Sequence, residues 1–258
     1  MPAVPVTKMH GAYNDFIVID ERIARIDDLP SFAKTVCHRR GSVGADGVLV
    51  ISACERADAR MSIFNADGSQ AEMCGNGARC VARYLSELGA GDNLVLETAA
   101  REVQTSIVSR DPFQVRVNLG VPRVEEMTVP DCDCLCVWVG NPHVVALQPQ
   151  LREADLPGLA QALAATPQFR NGTNVHAAVK IGTHQLEARH YERGVGPTMA
   201  CGSGAVASAA AAISRDLVRS PVEVQVPGGQ LLVEWEGGDA FLTGPAVRVF
   251  DTELALST

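Results

Sequence analysis

The tetrapeptide Cys-Gly-x-Gly occurs twice in this chain, as Cys74-Gly75-Asn76-Gly77 and as Cys201-Gly202-Ser203-Gly204. The copies lie 127 residues apart (201 − 74), about half of the 258-residue length. The same offset pairs Asn14 with Asn141, Gly47 with Asn174 and Asn65 with Glu192. Asn14 and Asn141 each follow a glycine-containing turn and precede an apolar strand. Asn65 and Glu192 each close a strand nine residues ahead of the cysteine. Two copies of one ancestral unit account for such spacing. The join falls near residues 120–130, where prolines stand at 122 and 130, so an N-terminal half is expected over 1–120 and a C-terminal half over 121–258.

Most of the chain reads as short strands. Phe16–Asp20, Gly47–Ile51, Met61–Asn65, Asn93–Thr98, Phe113–Gly120, Cys134–Val139 and Glu223–Trp235 are β-branched or alternating and bounded by Gly, Pro, Asp or Asn. Leu29–Arg39 and Leu156–Ala165 read as amphipathic helices, the second with Asp155 as its N-cap. Ala78–Leu88 and Ala205–Leu217 each start directly after a Gly-rich turn. Both are apolar over most of their surface, which in a globular protein means a helix enclosed by other elements.

Composition removes several classes of function. Charged residues are 20% and hydrophobic residues 47%, as in a globular chain. The net charge of −8 and the lack of a Lys/Arg cluster argue against a nucleic-acid or polybasic membrane partner. No apolar run reaches the roughly 18–20 residues of a membrane helix, and the start lacks the pattern of a secretory signal. A cytoplasmic protein with its eight cysteines as thiols is expected. Only Lys8, Lys34 and Lys180 are available to a Schiff-base cofactor.

A cysteine in the turn that opens a helix faces unpaired N–H groups and the positive end of the helix dipole. That setting favours thiolate over the ordinary thiol, whose pKa is about 8.5. The glycines let backbone N–H groups approach a carboxylate or phosphate. Neither turn ends in the Lys-Ser/Thr of a P-loop, which argues against a nucleotide. Two such turns facing one ligand would hold a carboxylate from both sides and put a sulfur on each face of the adjacent carbon. One thiolate then removes a proton, the opposite thiol delivers another, and the stereocentre inverts. A non-catalytic amino-acid or anion binder would use the same N–H groups but has no need of two cysteines.

Other candidates carry less. Cys37, Cys54 and Cys80 read as small hydrophobes. Cys132, Cys134 and Cys136 share one strand face, but no paired CxxC or histidines accompany them, so no metal is expected. His10, His38, His176, His184 and His190 read as surface or satisfied core residues. His143, in Gly140-Asn141-Pro142-His143, sits at a repeat-equivalent turn and is a site candidate. Glu192-Arg193 reads equally as a surface ion pair or as a site pair.

The segments KMHGAYNDFIVID, GADG, FNADGSQAEMCGNGARC, GNPHVV, NGTNV, YERGVGPTMACGSGA and TGPAVRVF, in this order from Lys8 to Phe250, resemble the diaminopimelate epimerase family. The resemblance implies an α+β fold of two pseudo-symmetric halves, each an antiparallel, barrel-like sheet around a central helix. It implies a homodimer that needs neither pyridoxal phosphate nor metal and interconverts L,L- and meso-2,6-diaminopimelate for lysine and cell-wall synthesis. Carried over by position, Cys74 and Cys201 match the acid/base pair. Gly75, Asn76, Gly202 and Ser203 match donors to the carboxylate at the reacting centre. His143 and Glu192 match groups near the reacting amine. Asn65, Asn174 and Arg193 match groups holding the distal end, and Asn14 and Asn141 match polar lining positions. The chain departs from the family where Tyr13 replaces a glycine, where Gly41-Ser42 replaces Thr-Gly, and where Pro197 replaces a glutamate. An amino-acid substrate other than diaminopimelate is the alternative that Tyr13 and Pro197 raise.

Overall fold

A computed structural model describes residues 3–129, 132–151, 156–169 and 172–255. The chain divides into two compact units, Met1–Val117 with Gly244–Thr258, and Asn118–Thr243.

In the first unit β1 (Ala3–Gly11) and β2 (Asn14–Asp20) form a hairpin. Its two-residue turn, Ala12-Tyr13, has φ of 53° and 64°. Positive φ at both positions suits the right-handed twist of a tight hairpin. Tyr13 stacks on His10, with ring centroids 5.1 Å apart. Helix α1 (Leu29–Val36) crosses to β3 (Gly47–Ser52), which runs parallel to β2. Strand β4 (Ala59–Asn65) returns antiparallel to β3, and β5 (Gln70–Ala71) folds back on β4. After α2 (Gly75–Glu87), β6 (Asn93–Glu97) runs parallel to β4, and β7 (Glu102–Arg110) and β8 (Phe113–Asn118) continue antiparallel.

The continuous apolar run of β3 follows from being covered on both faces. Val48 and Val50 join Ile17, Ile19 and the Phe32, Ala33 and Val36 face of α1 in one core. The opposite face takes α2, which packs against β1, β2, β3, β4 and β7. Asp28 caps α1 by accepting from Ser31 N at 3.0 Å, a contact worth about 1 kcal/mol.

The second unit repeats the plan. It comprises β9 (Arg123–Val129), β10 (Cys132–Val139), β11 (Asn141–Leu147), α3 (Leu156–Ala164), β12 (Asn174–Gly182), β13 (Gln185–Glu192), β14 (Gly196–Thr198), α4 (Gly202–Ser214), β15 (Val222–Val226), β16 (Gly229–Glu234) and β17 (Phe241–Pro245). Strand β11 runs antiparallel to β10 and parallel to β12, and β13 runs antiparallel to β12 and parallel to β15. The register repeats with the 127-residue offset. Phe16 pairs with Gly47 as His143 pairs with Asn174, and Val48 pairs with Phe64 as Val175 pairs with Tyr191. Helices α2 and α4 are both 13 residues long, and α4 packs among β10, β11, β12, β13, β15 and β16.

Several expectations change. The sheets are mixed, not purely antiparallel, because each unit uses crossover connections between β2 and β3 or their equivalents. The final strand, β18 (Val247–Ala255), pairs with β1 and so belongs with the first unit, not with a half running 121–258. Helices α2 and α4 begin three residues earlier than expected, at the glycine after each cysteine. The run Glu223–Trp235 is a hairpin broken at Pro227-Gly228. Cys54 is half-buried and donates to Glu97 at 3.2 Å instead of packing in the core, and Cys134 is in a disulfide. Asp155 and Pro130 lie outside the described residues. Among the described residues no helix is long and apolar enough to cross a membrane.

Candidate active site

Each cysteine of the repeat is the N-cap of its central helix. Cys74 has φ −145° and ψ 116°, and its Sγ accepts from Gly77 N at 3.4 Å. Cys201 has φ −118° and ψ 113°, and its Sγ accepts from Gly204 N at 3.3 Å. The extended backbone at the cap aims the sulfur back over the first turn, where the N–H groups of Gly75–Gly77 and Gly202–Gly204 have no acceptor earlier in their own helices. Both sulfurs therefore sit in the positive end of a buried dipole. The second glycine of each motif is closely packed. A Cβ on Gly77 would come 2.8 Å from Leu49 Cδ2, and one on Gly204 would come 2.5 Å from His176 Cε1.

Around Cys74 the polar groups form a directed chain. Arg79 is completely buried in α2, and its Nη2 donates to Asn76 Oδ1 at 2.9 Å. A guanidinium only donates, so Asn76 must turn its Nδ2 outward. That nitrogen donates to Asn14 Oδ1 at 3.1 Å, and Cys74 Sγ lies 3.7 Å from the same oxygen. Asn14 Nδ2 donates to Asp46 Oδ2 at 2.8 Å. Asp46 is tied to Arg39, which with Lys8 also grips Asp15, and this network holds the turn carrying Asn14.

Cys201 is buried, and its surroundings differ. Burial, then the negative charge of Glu192, push its thiol well above the ordinary range, so Cys201 carries its proton at neutral pH. Ser203 Oγ lies 3.7 Å from the sulfur. Glu192 ends β13, and the following Arg193 donates its backbone N–H to Asn174 Oδ1 at 3.0 Å. The Arg193 side chain is exposed and lies over Gly172, where a Cβ would come 3.2 Å from Arg193 Cγ and Cδ. It borders an open cavity of about 580 Å3, with Tyr191 and residues of α3 on its other walls. Pro197 lies exposed on β14, paired with Tyr191.

The structure thus gathers Asn14, Gly75 and Asn76 around Cys74 within the first unit, and Glu192, Gly202 and Ser203 around Cys201 within the second. Asn65 stands exposed at the end of β4, donating to Ser69 Oγ at 2.9 Å. His143 has no exposed surface, and both its ring nitrogens are engaged, one by Asn141 and the other by His176. His176 and His190 are themselves buried and bonded to one another, the core alternative of the two readings given for them, with His190 Nε2 left without a partner among the described residues. The repeat held a signal for them. One offset back, His143, His176 and His190 fall on Phe16, Leu49 and Ile63, all buried and apolar. Arg79 was likewise missed, since an arginine inside an apolar helix reads as a solvated position.

A family model described as "Diaminopimelate epimerase" matches residues 6–125 and 135–249. A diaminopimelate epimerase of Sphingopyxis alaskensis is 39% identical over 264 residues, covering 96% of this chain and 96% of the relative. One of Desulfitobacterium hafniense is 37% identical, covering 95% and 96%. Among solved structures, a phenazine biosynthesis protein of the PhzF family from Bacillus anthracis superposes with a TM-score of 0.76 at 15% identity, covering 99% of this chain and 100% of that one. A probable proline racemase from Agrobacterium radiobacter gives 0.74 at 16% identity, covering 98% and 93%. These two likenesses concern the fold alone.

Proposed function

The chain belongs to the diaminopimelate epimerase family, and from that premise we propose that it interconverts L,L- and meso-2,6-diaminopimelate by proton exchange between two thiols. The observation that carries the reading is the twofold occurrence of one device: a cysteine N-cap whose sulfur shares the first turn of a buried helix with glycine N–H groups. A single anion site needs one such turn, and two sulfurs suit the two faces of one carbon.

The step balances without a cofactor. One cysteine, as thiolate, takes the α-proton and becomes a thiol. The electron pair left on the α-carbon is delocalised into the substrate carboxylate, which the backbone N–H groups of Gly75, Asn76, Gly202 and Ser203 stabilise. The other cysteine gives its proton to the opposite face and becomes the thiolate. Cys201 holds its proton at rest, which suits it to deliver a proton in the first half-reaction. Turnover exchanges the two protonation states and prepares the reverse reaction. Glu192 disfavours a standing charge on Cys201, which makes that sulfur a reluctant anion and a ready base once formed. Arg193, Asn174 and Asn65 are assigned to the distal amino-acid end, where an exposed guanidinium suits a carboxylate. The family resemblance supports a cytoplasmic homodimer acting in lysine and cell-wall synthesis, and sedimentation of the purified protein tests the dimer.

Incubation with L,L-diaminopimelate in deuterated water should place one deuterium on one α-carbon and yield the meso form. Exchange with a different amino acid and none with diaminopimelate would move the substrate assignment. Cys74→Ala and Cys201→Ala should each lower epimerisation by at least about 100-fold while leaving the melting temperature within a few degrees. Near-normal turnover by either variant would sink the two-thiol mechanism.

A further inference from the structure

Three imidazoles and one amide form an unbroken line of hydrogen bonds inside the second unit. Asn141 Oδ1 lies 2.8 Å from His143 Nε2, His143 Nδ1 lies 2.9 Å from His176 Nε2, and His176 Nδ1 lies 2.8 Å from His190 Nδ1. His143 and His176 have no exposed surface, and His190 has 2%. The line lies across β11, β12 and β13, where His176 and His190 are direct cross-strand partners.

The fold does not require these histidines. The equivalent places in the first unit hold Phe16, Leu49 and Ile63, which pack in the same register at 3%, 0% and 3% exposure. Burying three imidazoles where apolar residues fit equally well carries a desolvation cost that packing alone does not recover. Burial keeps the rings uncharged, with His143 and His190 brought down to about 3 and His176 well below its ordinary value. The N-terminal end of α4, which touches the His176 ring through Gly204, disfavours a positive charge there as well.

Three neutral rings carry three hydrogens, and the line has three bonds to fill. Only two arrangements give every bond one hydrogen. If all donate toward Asn141, its Oδ1 accepts, and the atom left over is a bare lone pair on His190 Nε2. If all donate the other way, the Asn141 amide must turn over, and a buried N–H is left on His190 Nε2. That nitrogen is buried without a partner among the described residues. A buried donor without an acceptor is the rarer and costlier orphan, so the hydrogens run from His190 through His176 and His143 to Asn141. Asn14, the repeat equivalent of Asn141, is held the same way by other means: its Oδ1 accepts from Asn76, which Arg79 orients.

We propose that His190 and His176 are positioning residues that act through His143 to lock the Asn141 side chain, so that its NH2 group is offered to the substrate as a hydrogen-bond donor. A group presented in this way selects an acceptor, which in an amino-acid substrate is a carboxylate oxygen and not the ammonium. His143, with both nitrogens occupied, then acts by fixing Asn141. This rests on the reading of Asn141 as a residue that lines the substrate site.

The tautomers are read directly from ring-nitrogen chemical shifts of the 15N-histidine-labelled wild-type protein, with each ring assigned by its single variant. His143 and His176 should be protonated at Nε2 and His190 at Nδ1, without change from pH 8 to pH 5. Protonation of His143 at Nδ1, or averaging between its tautomers, would overturn the lock. The kinetic arm uses His190→Ile, which copies Ile63, and His190→Asn, whose amide nitrogen replaces Nδ1 as the donor. His190→Ile should raise KM for L,L-diaminopimelate about tenfold with kcat within about threefold, the pattern of a lost binding contact. His190→Asn should bring KM back to within about threefold of wild type. In an Asn141→Ala background His190→Ile should add no further loss, because the two share one path. Additive losses, or an unchanged KM in His190→Ile, would overturn the proposal. If His190→Ile does not fold, the wild-type spectrum and His190→Asn decide it. If the wild type exchanges no α-proton of diaminopimelate, the functional reading fails, and the spectrum still decides the tautomer lock.

Discussion

Gly204 lies against the flat face of His176, and a Cβ at that glycine would come 2.5 Å from Cε1 and 2.9 Å from Nδ1 of the ring. A Cβ at its repeat partner Gly77 would come 2.8 Å from Cδ2 and 3.5 Å from Cδ1 of Leu49, with Cys74 Cβ at an ordinary 3.6 Å. The end of a leucine turns aside at small cost. An imidazole bonded on both sides does not. Gly204→Ala should therefore destabilise the protein by about 1–3 kcal/mol, and Gly77→Ala by less. Denaturant midpoints of the two variants check this. Equal losses would show that the ring moves as freely as the leucine.

The repeat made the cysteine pair and Asn14 with Asn141 legible, because a motif of special backbone geometry survives as letters in a line. The mixed sheet was less legible. Strands of either direction share the same alternation, so Gly47–Ile51 announces a strand but not that β3 runs parallel to β2. The partner of β18 is β1, with paired residues from 237 (His10 with Val247) to 252 (Ala3 with Ala255) apart in sequence, and no local pattern reports such pairing. His176 and His190 were passed over for a different reason. Each sits in an ordinary strand, and a buried histidine has the spacing of any core residue. Only the comparison with Leu49 and Ile63, one offset back, marks them as a departure from what the fold needs.

The two site thiols should differ in reactivity. Cys201 is 5% exposed and holds its proton because of burial and the Glu192 charge, whereas Cys74 is half-buried. Thiolate is the form that alkylates. Brief treatment with iodoacetamide at pH 7.5, followed by peptide mapping, should label Cys74 ahead of Cys201. Substrate should protect Cys74. Cys37 and Cys80, pushed up to about 11 and about 12 by burial, should remain unlabelled. Faster labelling of Cys201 would reverse the resting protonation pattern on which the proposed direction of the first half-reaction depends.

Asp15 joins Lys8 at 2.6 Å and Arg39 at 2.7 Å below the turn that carries Asn14. Burial alone would raise its carboxyl, but hydrogen bonds from Arg39 and Lys8 outweigh that and bring it to about 2. The folded protein thus holds the carboxylate where the unfolded chain, at about 3.9, begins to take up a proton. This stabilisation is complete above pH 4 and is lost as pH falls toward 2. Asp15→Asn should cost about 3 kcal/mol at pH 7, because Lys8 stays largely buried without its counter-charge. The same change should flatten the pH dependence of stability between 4 and 2. A variant as stable as wild type would mean that Lys8 finds water on losing its partner.

The histidine line should leave a mark on acid stability in a separate window. His143 and His190 titrate at about 3 in the folded protein, and His176 well below 6.5, all because of burial. In the unfolded chain each binds a proton near pH 6.5. Between those values the unfolded state holds more protons than the folded one, so stability rises with pH and is lost as pH falls from 6.5 toward 3. Each ring contributes a slope of up to about 1.4 kcal/mol per pH unit. The double variant His176→Leu/His190→Ile, which copies the first unit's core, removes two of the three. Its denaturant midpoint should fall less steeply than that of wild type from pH 6 to pH 4. At pH 5 it should therefore compare more favourably with wild type than it does at pH 8. Exposed histidines contribute equally to both proteins and cancel in the comparison. Parallel curves would mean that the rings take up protons in the folded state, which is incompatible with a neutral line of three hydrogens.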